Sequence, residues 1–168
     1  IKTTNGTADL QNKNGSAVRV REYTTVEVNS LLGGGKSDTR LTMKHGSVMA
    51  KVEKKASNET FKVVTPTAIA GVRGTTFTVE AEEGEPTRVK VLDGAVAMAP
   101  RIKALEDVAE EDLQNNPELQ AQYKELQELA AQQEKLIEAE QVGKLDSGVE
   151  KAVAELNDKT NSVEGKGE

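Results

Sequence analysis

Chemistry in this chain of 168 residues must come from a short supply of nucleophiles, bases and ligands. Gly33-Gly34-Gly35-Lys36-Ser37 looks at first like the end of a phosphate-binding loop. The full pattern needs a glycine five positions before Gly35, where Ser30 stands, and no helical periodicity follows Ser37. A flexible turn is the expectation there. His45 is the single histidine, so two-histidine zinc motifs are excluded, and its setting before Gly46 predicts a surface turn rather than a catalytic base. Cysteine is absent, which removes disulfides, thiolate chemistry and cysteine-ligated metals. Glu80, Glu82, Glu83 and Glu85 cluster around Gly84, but without the spacing of an EF-hand. A solvated loop accounts for them more simply than a calcium site. No nucleophile elbow or Ser-x-x-Lys motif occurs. The expectation is a non-enzymatic protein with no catalytic, cofactor-binding or metal residues.

Composition narrows the partners. Four aromatic side chains, Tyr23, Phe61, Phe77 and Tyr123, are too few for nucleic-acid or sugar stacking. No apolar run approaches the length of a membrane span. The chain opens at Ile1 rather than Met, as expected of a processed product that has lost a leader. The net charge of -6 hides a division near Pro100. Residues 1–100 hold 14 Lys and Arg against 11 Asp and Glu, a net of +3. Residues 101–168 hold 8 against 17, a net of -9.

The elements change at the same place. Before Pro100, β-branched residues alternate with polar ones at the period of half-buried strands. Val18 and Val20, Val26 and Val28, Leu41 and Met43, and Val48, Ala50 and Val52 form successive stripes. Phe61 and Val63, Phe77 and Val79, Val89 and Val91, and Val96 and Met98 continue them. With no crossover helices, the strands are expected to be mostly antiparallel or solenoid-like. A weak repeat aligns Thr39–Ala50 with Thr87–Met98 at an offset of 48 residues. Each unit reads as strand, tight turn and strand, with His45-Gly46 and Asp93-Gly94 as turns. Asn14-Gly15 is a third turn signal. Duplicated hairpins or coils of a small β-solenoid both fit.

The most distinctive stretch runs from Phe61 to Val96. Thr65-Pro66, a run of small residues up to Gly71, Val72-Arg73-Gly74-Thr75 with Phe77, and the Leu92-Asp93-Gly94 turn leading to the Val96 strand together resemble the FecR domain. Leu32-Gly33 and the Thr39–Val48 stretch match its earlier turns, so the resemblance covers roughly residues 10–98. It implies an all-β, twisted, partly solenoid or sandwich-like domain on the periplasmic or extracellular side of a bacterial membrane. In its best-known setting the module relays a signal from an outer-membrane transporter to a sigma factor. Beside that, the residues suggest local roles. Pro66 suits a strand end. Gly71 and Gly74 suggest a bend with close backbone approach. Arg73 is expected to lock a turn by donating to carbonyls or a carboxylate.

After Pro100, Glu, Gln, Ala, Leu and Lys predominate, the strong helix formers. Ile102–Leu113 is a short helix candidate, and Asn116-Pro117 starts another expected to run to about Val142 and end at Gly143. Leu119, Tyr123, Leu126, Leu129, Leu136 and Ile137 mark its apolar stripe. A third segment from Asp146 carries Val149, Val153 and Leu156. The expected organisation is a β domain over 1–100, a helical appendage over 101–160 and a disordered tail over 161–168. The expected function is protein–protein interaction at the envelope, in signalling or surface assembly. Partners are another protein or a second copy, met through strand edges or the helical stripe. Two alternatives remain: a subunit of an extracellular filament, and a carbohydrate or cell-wall binding module, against which the scarce aromatics argue.

Overall fold

The structure is a computed structural model, and it describes residues 1–11, 15–29, 39–54 and 60–144. The alternating stripes become strands: β1 (Ala8–Gln11), β2 (Ala17–Val20), β3 (Thr25–Asn29), β4 (Thr39–Lys51), β5 (Phe61–Val64), β6 (Ala68–Val72), β7 (Thr76–Ala81), β8 (Arg88–Asp93) and β9 (Ala95–Pro100). Three helices follow, α1 (Ala104–Asp107), α2 (Glu110–Asn115) and α3 (Pro117–Gln132). Two further strands then return to the sheet, β10 (Lys135–Glu138) and β11 (Val142–Lys144). All described strands join one nearly closed, barrel-like sheet, antiparallel except where β4 runs parallel to β5.

The sheet has two halves that share β4. The first part of β4 pairs with β3 and β5, and that half continues through β6 and β9 to β10. The second part pairs with β2 and β7, and that half continues through β8 to β11. Between them lies the core, with Val20, Leu41, Met43, Val48, Phe77, Val79, Val89, Val91, Val96 and Met98 essentially inaccessible. Phe61 and Phe77, which bracket the motif, meet edge to face at 6.4 Å between centroids.

The chain passes between halves at tight corners, and these correct the turn assignments. His45-Gly46 does not close a hairpin: β4 is continuous through it, and Gly46 with φ +106° bends the strand from one half into the other. Asp93-Gly94 likewise joins β8 to β9, which lie in different halves and do not pair with each other. Gly15, by contrast, follows β1 and precedes its true antiparallel partner β2.

The 48-residue repeat is nevertheless visible in the geometry, as two bent hairpins. In the first, Val20 pairs with Val48 and Thr25 with His45 on either side of the corner. In the second, Val72 pairs with Val96 and Thr76 with Asp93. Each outgoing arm turns at a positive φ, Tyr23 in one and Gly74 in the other. Each is followed by a buried threonine that sits under the returning glycine. Thr24 Oγ1 accepts from Ser47 N at 3.0 Å, and Thr75 Oγ1 donates to Ala95 O at 2.8 Å. A buried hydroxyl thus meets backbone groups that the bend withdraws from the ladder.

The helical expectation holds in part. Asn116 Oδ1 accepts from the amides of Glu118 and Leu119, both at 3.2 Å, and Pro117 opens α3. The helix stops at Gln132 rather than Val142. Leu136 and Ile137 therefore lie on β10, and Gly143 lies in β11 instead of ending a helix. The cause is tertiary: Ile137 is 4% exposed, in the core cluster, opposite Val96 on β9. That burial overrides the helix propensity of the surrounding Glu, Gln and Lys. The segment expected to be purely helical thus supplies two strands to the β sheet. Val149, Val153, Leu156, the 161–168 tail, Asn14, Leu32-Gly33 and the Gly33–Ser37 stretch lie outside the described residues.

Candidate interaction surface

Half of the motif builds structure. Thr65 is buried at the turn between β5 and β6, where Oγ1 accepts from Ala68 N at 2.9 Å. Its hydroxyl also lies 2.8 Å from that of Thr87, which lies 2.8 Å from that of Thr67. Pro66 stands exposed at the tip of that turn. Thr75, Phe77, Asp93 and Gly94 belong to the corner and the core. A Cβ on Gly94 would sit 2.8 Å from Gly74 O, and one on Gly74 would sit 2.5 Å from Lys54 Cβ. The close backbone approach expected at Gly74 is therefore present, that Cβ lying 3.0 Å from Lys54 Cα, whereas Gly71 lies inside β6 with neither a bend nor a close approach.

Arg73 does not perform the expected lock. It is exposed, and its guanidinium makes no hydrogen bond among the described residues, although its carbonyl accepts from Thr75 Oγ1 at 3.3 Å. Arg101, which drew no attention in the sequence, holds the Thr-Pro turn instead. Its guanidinium donates to Thr65 O at 3.1 Å and makes a two-point pair with Glu106 at 3.0 and 2.8 Å. Arg40 lies 3.6 Å from the same carboxylate. The Arg101 hydrogen bond, with Arg40 nearby, holds the Glu106 carboxyl below the usual carboxylate range despite partial burial. This cluster fastens α1 to the sheet.

Gly71 and Arg73, on either side of the buried Val72, face outward. Sheet register places Lys62, Gly71, Ala97 and Leu136 in one row across β5, β6, β9 and β10. The two middle positions carry no side chain beyond a methyl, so the row sinks between Lys62 and Leu136. The trough has a volume of about 420 Å³, and Val72, Arg73 and Ala95 continue its lining. Leu136 is 65% exposed beside it. An apolar floor with basic side chains at the rim can hold an apolar side chain while its charged neighbours meet Lys62 and Arg73. Gly71, Val72 and Arg73 of the motif are thus brought together here, while Thr65, Thr75, Phe77 and Asp93 are not. What makes the trough is absent side chains at aligned positions, which no local pattern reveals.

The residues weighed for chemistry come together without forming a metal site: His45, Glu80, Glu82, Glu83 and Glu85 line one open cleft. His45 is exposed at the β4 corner. Among the described residues no group of three or more histidines and acids is placed to hold a metal ion, Glu80, Glu82, Glu83 and Glu85 included. Among them, too, no helix is long and apolar enough to cross a membrane.

The FecR protein family matches residues 1–97, more than half of the sequence. The chain belongs to the FecR family. No curated protein matches it. Among solved structures, the chain is similar to two crystal structures of a candidate anti-sigma factor from Parabacteroides distasonis. At 1.65 Å resolution the likeness has a TM-score of 0.49 and 20% identity; at 2.50 Å, 0.50 and 21%. Each match covers 58% of this chain and 45% of the other, so the chain spans less than half the length of these neighbours. At this identity the second match supports the FecR fold alone. The β10–β11 return lies beyond the residues that the family matches.

Proposed function

We propose that this FecR-family chain is a non-enzymatic protein-interaction module in bacterial envelope signalling, acting on the periplasmic or extracellular side. One observation carries the reading: Gly71 and Arg73 face outward and line an exposed apolar trough, while Val72 between them turns into the core. A fold that needed them only for stability would leave Arg73 paired and the Gly71 row filled. Family membership supports a signalling role, and the anti-sigma-factor name of the solved neighbours points the same way. Nothing in the family match or the neighbours favours a filament subunit or a carbohydrate-binding module. Contact through the helical stripe is the weaker route, because Leu119, Tyr123, Leu126 and Leu129 are already half-buried. Tyr123 also donates its hydroxyl to Leu105 O at 3.2 Å.

The test is a photo-crosslinking residue at Leu136 in the producing bacterium, with one at Arg19 on β2 as control. A protein adduct specific to Leu136 and lost in Gly71→Leu is expected. Gly71 is the right filler because its φ is not in the left-handed region and a Cβ there meets nothing closer than Ala97 O at 3.8 Å. Adducts that persist unchanged in Gly71→Leu would remove the trough from the interface.

A further inference from the structure

The β10–β11 hairpin is an open one, its strands paired with β9 and β8 rather than with each other, and it is held like a bound ligand. It reaches the sheet after an excursion over residues 101–134, in which α1 and α3 bury no residue. It is short, four residues and three. Its attachment has two parts. The first is backbone pairing, β10 to β9 and β11 to β8. The second is a single anchor, since Ile137 alone of the four β10 side chains is buried. Leu136 and Val142 remain 65% and 59% exposed. Gly143 makes room for the anchor: a Cβ at that position would lie 1.9 Å from Ile137 Cδ1. A ladder for affinity and one pocketed side chain for specificity are what strand-addition partners use.

We infer that the β8 and β9 edges beneath this hairpin form a strand-binding site, which an extended segment of a partner protein takes in place of β10. The hairpin is its internal occupant and leaves on its helical arm. The occupant's chemistry follows from the seat. It is an extended strand with one β-branched aliphatic residue at the Ile137 position, between exposed neighbours such as Leu136 and Glu138. Neighbouring Val96 and Met98 are fully buried, so an acidic or amide side chain in the seat would lose its hydration without a partner. The inference does not depend on the trough. Peptide binding at the edges can fail while Leu136 adducts persist, and the reverse.

The probe is a fluorescent peptide of residues 134–144 added to the full chain. Leu136 and Ala97 are direct cross-strand neighbours, so Leu136→Cys with Ala97→Cys staples the hairpin when oxidised and frees it when reduced. Saturable binding to the reduced form, at least about tenfold weaker after oxidation, is expected if the open state is the binding state. Gly143→Val crowds Ile137, opens the hairpin and should tighten binding about tenfold over the unsubstituted chain. A peptide carrying Ile137→Asp should not bind. Equal binding by oxidised and reduced forms overturns the inference. So does absent binding to Gly143→Val when hydrogen exchange shows β2–β9 still protected. A dimer whose subunits exchange hairpins would assign the edges to a second copy and overturn it as well.

Discussion

Gly46→Ala adds one methyl group and should be among the most damaging single changes available to the sheet. At φ +106°, an L residue is disfavoured by about 1–2 kcal/mol before any contact is considered. The methyl would then sit 2.3 Å from Thr24 Oγ1, 2.6 Å from Thr24 Cα and 2.7 Å from Thr24 Cβ. Two of those atoms cannot rotate away, so the corner must spread, and overpacking of this kind costs about 1–3 kcal/mol. Spreading also lengthens the 3.0 Å bond from Ser47 N to Thr24 Oγ1, a loss of about 1 kcal/mol for a group held from water. Together these come to about 3–6 kcal/mol, a large share of the 5–15 kcal/mol typical of a domain. Gly84→Ala is the control. It too has positive φ, +75°, but nothing within 4 Å of the new methyl, so only the conformational cost of about 1 kcal/mol remains. Urea unfolding followed by circular dichroism measures both. A Gly46→Ala midpoint no lower than that of Gly84→Ala would refute the corner argument, since the two changes differ mainly in the space available.

Other consequences are as direct. Thr75→Val keeps the shape under the second corner and removes the hydroxyl bonded to Ala95 O; thermal unfolding should show a loss of about 1–3 kcal/mol. Gly71→Leu, used above to fill the trough, should leave the unfolding midpoint within about 1 kcal/mol of the parent, as for an exposed substitution without a clash. Asn116→Ala removes the cap from α3 and should cost about 1 kcal/mol locally, read as lost helical signal with the β signal unchanged. The Glu106 carboxyl, held low by Arg101, stabilises α1 docking above its unfolded value of 4.5, and that stability drains as pH falls through its lower folded value. Hydrogen-exchange protection at residues 102–107, measured relative to the intrinsic rate at each pH, should therefore fall in acid, and Glu106→Gln should flatten that dependence.

Much of the sheet was legible because its signal is local. Val18 to Met98 alternate at period two, and the alternation marks which side chains are buried. Asn116-Pro117 carries its helix start in two adjacent residues. The corners were half legible. Gly46 and Gly94 announce a positive φ, but the same dipeptide closes a hairpin or bends a strand, and only the partners of the flanking residues decide which. β10 and β11 were illegible for a different reason. Leu136 and Ile137 fall on a helical stripe in a run of helix formers, and what overrides it is a seat against Val96 supplied from 41 residues earlier in the sequence. The exchange of roles between Arg73 and Arg101 has the same origin, because a guanidinium's partners are set by packing rather than by its neighbours in sequence.

The late return of β10 also bears on synthesis. β9 is complete at Pro100, and its covering strand starts at Lys135, so the ribosome adds about 35 residues between the two. At the usual 5–20 residues per second, the bare edge of β9 waits roughly 2–7 seconds for its neighbour. An unpaired strand edge on a nascent chain is a site where polysomal neighbours can join by mistake. The stretch made during that wait, residues 101–134, holds 9 Asp and Glu against 3 Lys and Arg. Its surplus of negative charge emerges directly behind the open edge, where it repels identical chains until the barrel closes.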